Sequence, residues 1–145
     1  MLFWKRQRWC CSTINIFNEI YTDVRNLLKE KYPSLTTARK IPNKAPNFPA
    51  WILFPLDNYT DTDTLTSTGM ENHAVVTLQM EVYSNLSSGG EEQCENIADI
   101  ADRRLMLKGF VRTYASFVTA SSSELTRLVC RYRSTVGRDN LLYRK

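Results

Sequence analysis

His73 is the one histidine of this chain, and it stands in Glu71-Asn72-His73 at the head of an alternating stretch. Histidine is the usual proton carrier near neutral pH, and a carboxylate two residues away could orient it. Catalysis also needs a nucleophile or a ligand set at a working spacing, and the sequence supplies neither. It holds no G-x-S-x-G, H-E-x-x-H, phosphate-loop or Rossmann glycine pattern. "SSGG" at 87–90 is rich in glycine, but the lysine of a phosphate loop is missing and Glu91 and Glu92 follow, which would repel a phosphate. Cys10, Cys11, Cys94 and Cys130 include no C-x-x-C pair, so zinc ligation is not indicated. Asp61 and Asp63 lie in a polar segment that lacks the glycine and terminal glutamate of a calcium loop. The expectation is a protein that is not an enzyme, with no catalytic residue, no metal and no cofactor. Asn72 and Glu71 then serve to fix the start of a strand by local hydrogen bonds, and His73 positions backbone or touches a neighbouring subunit.

Cations offer a different kind of chemistry. In "LTRLVCRYRSTV", Arg127, Arg131 and Arg133 share one face of a strand, with Val129 between them, and Leu128, Cys130 and Tyr132 share the other. Arg138, Arg144 and Lys145 lie nearby in sequence. Clustered cations suit phosphate contact, but no aromatic residues interleave with these arginines on their face, so base stacking is not indicated. A solvated strand face, and contact with acidic surface on a neighbouring copy, are the other readings.

Charge along the chain is segregated. Residues 1–50 carry nine Lys/Arg against three Asp/Glu, a net of +6; residues 51–102 carry ten acids and no Lys or Arg; residues 103–145 carry ten Lys/Arg against two acids, a net of +8. Either the ends pair with the middle inside one sheet, or unlike surfaces meet between subunits. Trp4 and Trp9, set among Lys5, Arg6 and Arg8, fall outside the helical pattern that follows. They either pack back on the domain or act as interface anchors, a common role for Trp and Arg.

The elements that must position these residues read clearly. "STINIFNEIYTDVRNLLKEKYP" places Ile16, Phe17, Ile20, Tyr21, Val24, Leu27 and Leu28 at helical spacing, with Ser12 or Thr13 as the expected cap, Lys29 and Lys31 at the negative end and Pro33 as the stop. The first half of "TTARKIPNKAPNFP" suits a short strand, and Pro42, Pro46 and Pro49 then force an irregular connection. "AWILFPLD" is a strand with Trp51 and Leu53 on one face, and Pro55 predicts an edge or a break. Residues 74–83 alternate strictly. Glu91 and Glu92 open a second helix with an inner stripe of Cys94, Ile97, Ala98, Ala101 and Leu105 and a stop at Gly109. "FVRTYASF", "LTRLVCRYRSTV" and "LLYRK" are further strands. The predicted class is α+β, a single domain with an antiparallel sheet flanked by two helices. Its organisation is an N-terminal arm, 1–12, that contacts a partner, and a domain over 13–145. The opening "MLFWKRQRWCC" has no apolar run long enough for a leader or a span, so a reduced compartment and no membrane partner are expected.

"ENHAVVTLQMEVYSNLSSGGEEQCENIADIADRRLMLKGFVRT", followed by "RLVCRYRSTVGRDNLLYR", resembles the tail-completion or tail terminator proteins of long-tailed bacteriophages and prophages, often labelled minor capsid proteins. The markers are E-N-H-A, V-Y-S-N, a glycine loop before a helix, G-F-x-R-T, R-Y-R and a final Y-R, with "KYPS" and "FP" further upstream. The resemblance covers about residues 14–145. The segment before the first helix departs from it, and residues 116–124 lack the family's proline-rich loop. The resemblance implies a virion structural protein at the tail-neck junction, assembled in the host cytoplasm. Its copies would form a ring, usually a hexamer, that caps the tail tube and meets a head-closure or neck protein, with DNA crossing the lumen without sequence specificity. A head-side neck adaptor or head-closure protein is the alternative, and a small nucleic-acid-binding regulator is a third. On this view Arg127, Arg131, Arg133, Glu71, His73, Trp4 and Trp9 are candidates for subunit contact or the lumen.

Overall fold

The computed structural model describes residues 16–41, 47–60, 73–118, 125–137 and 142–143. Helix α1 runs Phe17–Lys31. Its cap is Ile16, not Ser12 or Thr13, and no side chain bonds the first turn. Ile16 instead buries its side chain in the core, and its carbonyl accepts the Ile20 N–H at 3.2 Å. Packing thus starts this helix where a polar cap was expected. Ile20, Tyr21, Val24 and Leu28 form its inner stripe, and the helix ends before Pro33.

The strands are β1 (Thr36–Ala38), β2 (Ala50–Thr60), β3 (His73–Ser84), β4 (Val111–Val118), β5 (Thr126–Gly137) and β6 (Leu142–Tyr143), with helix α2 (Gly90–Leu107) between β3 and β4. They form one six-stranded sheet in the order β1-β2-β3-β5-β4, with β6 also paired to β5. The class is α+β, as the sequence predicts. One pairing differs from an all-antiparallel sheet: β1 runs parallel to β2 over three residues. The chain returns from β1 to β2 through the proline-rich segment, and that connection is long enough for a parallel crossover. Beyond Ile52, β2 has no β1 partner, so among the described residues Pro55 lies on a free edge, next to a bulge between Pro55 and Asp57. There its missing donor costs no ladder bond.

Both helices lie on the same face of the sheet and share one core with it. Trp51 and Leu53 of β2, Val76, Leu78, Met80 and Val82 of β3, and Leu128, Cys130 and Tyr132 of β5 meet the two helical stripes. The stripe of α2 is the expected one: Cys94, Ile97, Ala98, Ala101 and Leu105 are all buried. The helix ends in a Schellman arrangement. Gly109 takes φ 106°, its N–H reaches the Met106 carbonyl, and the Phe110 N–H reaches Leu105. Asp23 ties the helices together, accepting two bonds from Arg104 at 2.6 and 2.9 Å and facing Lys108 at 3.1 Å.

Candidate functional site

Alternation places Thr77, Gln79, Glu81 and Tyr83 of β3 on the helix-free face, and the antiparallel register brings β5 alongside. Gln79 pairs with Arg131, Glu81 with Val129, and Tyr83 with Arg127. From this register Arg127 reaches diagonally to Glu81, which is 0% exposed, and donates to its Oε1 from both Nε, at 2.6 Å, and NH2. The Tyr83 hydroxyl donates to the same oxygen at 3.1 Å, and the guanidinium lies over the Tyr83 ring, 5.9 Å from its centroid. Burial pushes the Tyr83 phenol up from its ordinary range, and the Glu81 charge adds to this. Arg131 repeats the theme one pair along. It donates to Gln79 Oε1 at 3.0 Å and sits 5.3 Å from the centroid of Tyr114 of β4.

The three arginines therefore share one face of β5, as their spacing predicts, but they are not equivalent. Arg127 is part-buried, 31% exposed, and its charge is matched by Glu81. Arg131 and Arg133 are exposed. One expectation is corrected: aromatic rings do accompany the arginines. Tyr83 and Tyr114 arrive from the neighbouring strands, β3 and β4, and no pattern within one strand could reveal them. His73 opens β3, half-buried and opposite Gly137. Glu71, Trp4, Trp9, the arm over 1–12, Ser12, Thr13, Cys10, Cys11, Asp61, Asp63, Arg138, Arg144 and Lys145 lie outside the described residues.

The remaining polar groups of the interior are structural in geometry. The buried Tyr132 hydroxyl donates to Asp102 at 2.7 Å, and burial pushes its phenol up. Burial pushes the Cys94 thiol up to about 12, and raises Cys130 as well. Neither thiol has thiolate character near neutral pH, so neither is poised as a nucleophile. Among the described residues no group of three or more His, Cys, Asp or Glu could hold a metal ion. No described helix is long and apolar enough to cross a membrane.

A second surface, which the sequence reading missed, lies at the β4 edge. Helix α2 packs over β3 and β5 and leaves β4 overhanging the helical layer. Below the overhang is a cleft of about 480 Å³. Ala115, Phe117, Leu128 and Cys130 supply its apolar floor, and Glu95, Asp99 and Asp102 of α2 form one wall. Val111, Tyr114 and Phe117 are exposed along the same strand. The edge of β4, unpaired among the described residues, and this half-covered apolar floor are the sort of surface that soluble chains usually protect. The signal in sequence was "VRTYASFV", apolar on both faces.

No protein-family model matches the chain, and no curated protein matches it. Solved structures do match. One is a chain in the virion of a native gene transfer agent particle, with a TM-score of 0.55 and 14% sequence identity over 81% of this chain and 91% of that chain. At that identity the likeness establishes a shared fold, one that a virion component is built on.

Proposed function

We propose that this chain is a virion structural protein and, within that class, a tail terminator. Its copies form a hexameric ring that caps the tail tube and offers the surface on which the head-closure or neck protein docks. DNA crosses the lumen without sequence specificity, and the ring sits at the tail-neck junction after assembly in the host cytoplasm. The observation that carries the reading is a coincidence of two independent likenesses. The fold is similar to that of a virion chain over nearly all of the latter's length, and the ordered markers from Glu71-Asn72-His73-Ala74 to Tyr143-Arg144 resemble tail-completion proteins.

The molecule's form suits a ring. Its two sheet edges are unlike, β1 with the distal part of β2 at one side and β4 at the other, and a ring needs one patch to meet a different patch on the next copy. Arg131 and Arg133 are assigned to the lumen or a subunit contact, Glu71 and His73 to a neighbour, and Trp4 and Trp9 to the arm. Particles assembled without this chain test the reading by negative-stain imaging. Tails of irregular length are the expected result. Normal free tails beside leaking heads would overturn it in favour of a head-closure protein.

A further inference from the structure

The cleft between α2 and β4 has a chemical character that selects its occupant. Its floor is apolar and its α2 wall is acidic. Asp102 is already engaged with Arg112, at 3.5 Å, and with Tyr132. Glu95 and Asp99 lie one helical turn apart at the exposed rim. Asp99 pairs with Arg103 at 3.0 Å, whereas Glu95 makes no ion pair among the described residues, and Arg112 also lines the cleft. With Glu95 left to be matched and Asp99 shared with an exposed arginine, a fitting occupant carries large apolar side chains next to cations and no acid. One segment of this chain has that composition: "MLFWKRQRW", with Trp4 and Trp9 flanking Lys5, Arg6 and Arg8.

We propose that residues 1–12 of each copy seat in the α2/β4 cleft of the next copy. The tryptophans would lie against the Ala115–Phe117 floor and the cations against Glu95 and Asp99. The fold gives this contact its direction. Helix α1 begins on the β1 side of the sheet, where Asn18 accepts from Arg39 just after β1 and Tyr21 stacks on Trp51 of β2. The cleft lies at β4, the opposite end of the strand order, about 19 Å away at the usual strand spacing. An arm leaving one edge and a cleft open at the other make a head-to-tail contact, and a dozen extended residues span roughly 40 Å, ample for the step. The inference rests on the ring reading and adds what fastens one copy to the next.

The test uses the full chain with a photo-reactive benzoylphenylalanine in place of Phe117, made with and without nitrogen-15 and mixed in equal amounts. The expected result is a cross-link from position 117 to residues 1–12 that joins labelled to unlabelled copies. Glu95→Lys with Asp99→Lys, or Trp4→Ala with Trp9→Ala, is expected to lower its yield about tenfold, as loss of a charged or aromatic anchor does. Cross-links confined to one chain, or directed to other residues while the copies still associate in sedimentation, overturn the arm and leave the ring standing. A chain that stays monomeric at all concentrations overturns both.

Discussion

Glu81 and Arg127 form a pair whose two members differ in exposure, and that difference governs what each is worth. The carboxylate is wholly buried, whereas the guanidinium is about one-third exposed. Deleting the cation strands a buried charge, and that costs more than the pair itself contributes. Arg127→Met is expected to lower unfolding free energy by about 3 kcal/mol, whereas Arg131→Met, at an exposed site, costs under about 1 kcal/mol. The double change Glu81→Met with Arg127→Met should recover most of the first loss. Urea unfolding of the variants measures all of these, and equal losses at positions 127 and 131 would refute the assignment. The sequence showed that the arginines share a face, because alternation is a property of one strand. It could not show that Glu81, Gln79, Tyr83 and Tyr114 meet them, because register between strands is set by turns and core packing rather than by either strand's own pattern.

Elements dock through a few contacts that carry disproportionate weight. Asp23 joins α1 to α2, and the Arg104 hydrogen bonds, helped by Lys108, hold its carboxyl at about 2, below the usual 3.8. A carboxyl depressed in the folded state stabilises above its unfolded value, and that contribution disappears as pH falls from about 4 to about 2. The partners are partly open to solvent, so screening reduces the contribution to about 1 kcal/mol. Asp23→Asn should therefore be less stable than the parent by that amount at pH 7 and equal to it near pH 2, measured as chemical denaturation across the range. A second contact is steric. Gly90 opens α2 against the start of β5, and a β-carbon there would lie 2.7 Å from Thr126 Oγ1. Gly90→Ala is expected to cost about 1–3 kcal/mol as overpacking does, with Thr126→Ala in the same chain recovering part of it; melting curves decide. Both helices were legible because their stripes are long and regular. The cap at Ile16 was not, since burial of an apolar side chain leaves no local signature. Nor was the parallel β1, where three residues give no pattern that distinguishes direction.

At the scale of the whole molecule the charge segregation becomes spatial. Glu81, the one acid of β3, lies beside the basic β5, and its pairing with Arg127 neutralises part of the segregation within the sheet. Arg131 and Arg133 differ from Arg127 in being exposed, and on the ring reading they are where pairing between copies is expected. On the helical side of the core the acids of α2 lie among Arg103, Arg104 and Lys108, so charge of both signs meets there. The proposed contact between copies through Arg131 and Arg133 would depend on long-range attraction that salt screens within about 10 Å at 0.1 M and about 3 Å at 1 M. Arg131→Glu with Arg133→Glu should leave folding within about 1 kcal/mol of the parent. It should weaken association of copies, or their assembly on tail tubes, by about tenfold. The parent should associate less at 1 M salt than at 0.1 M, and the double variant should show a flatter dependence. Sedimentation at the two salt concentrations reads both effects together. A variant that assembles and infects as the parent does would remove Arg131 and Arg133 from the assembly surface and leave the β4 edge to account for contact between copies.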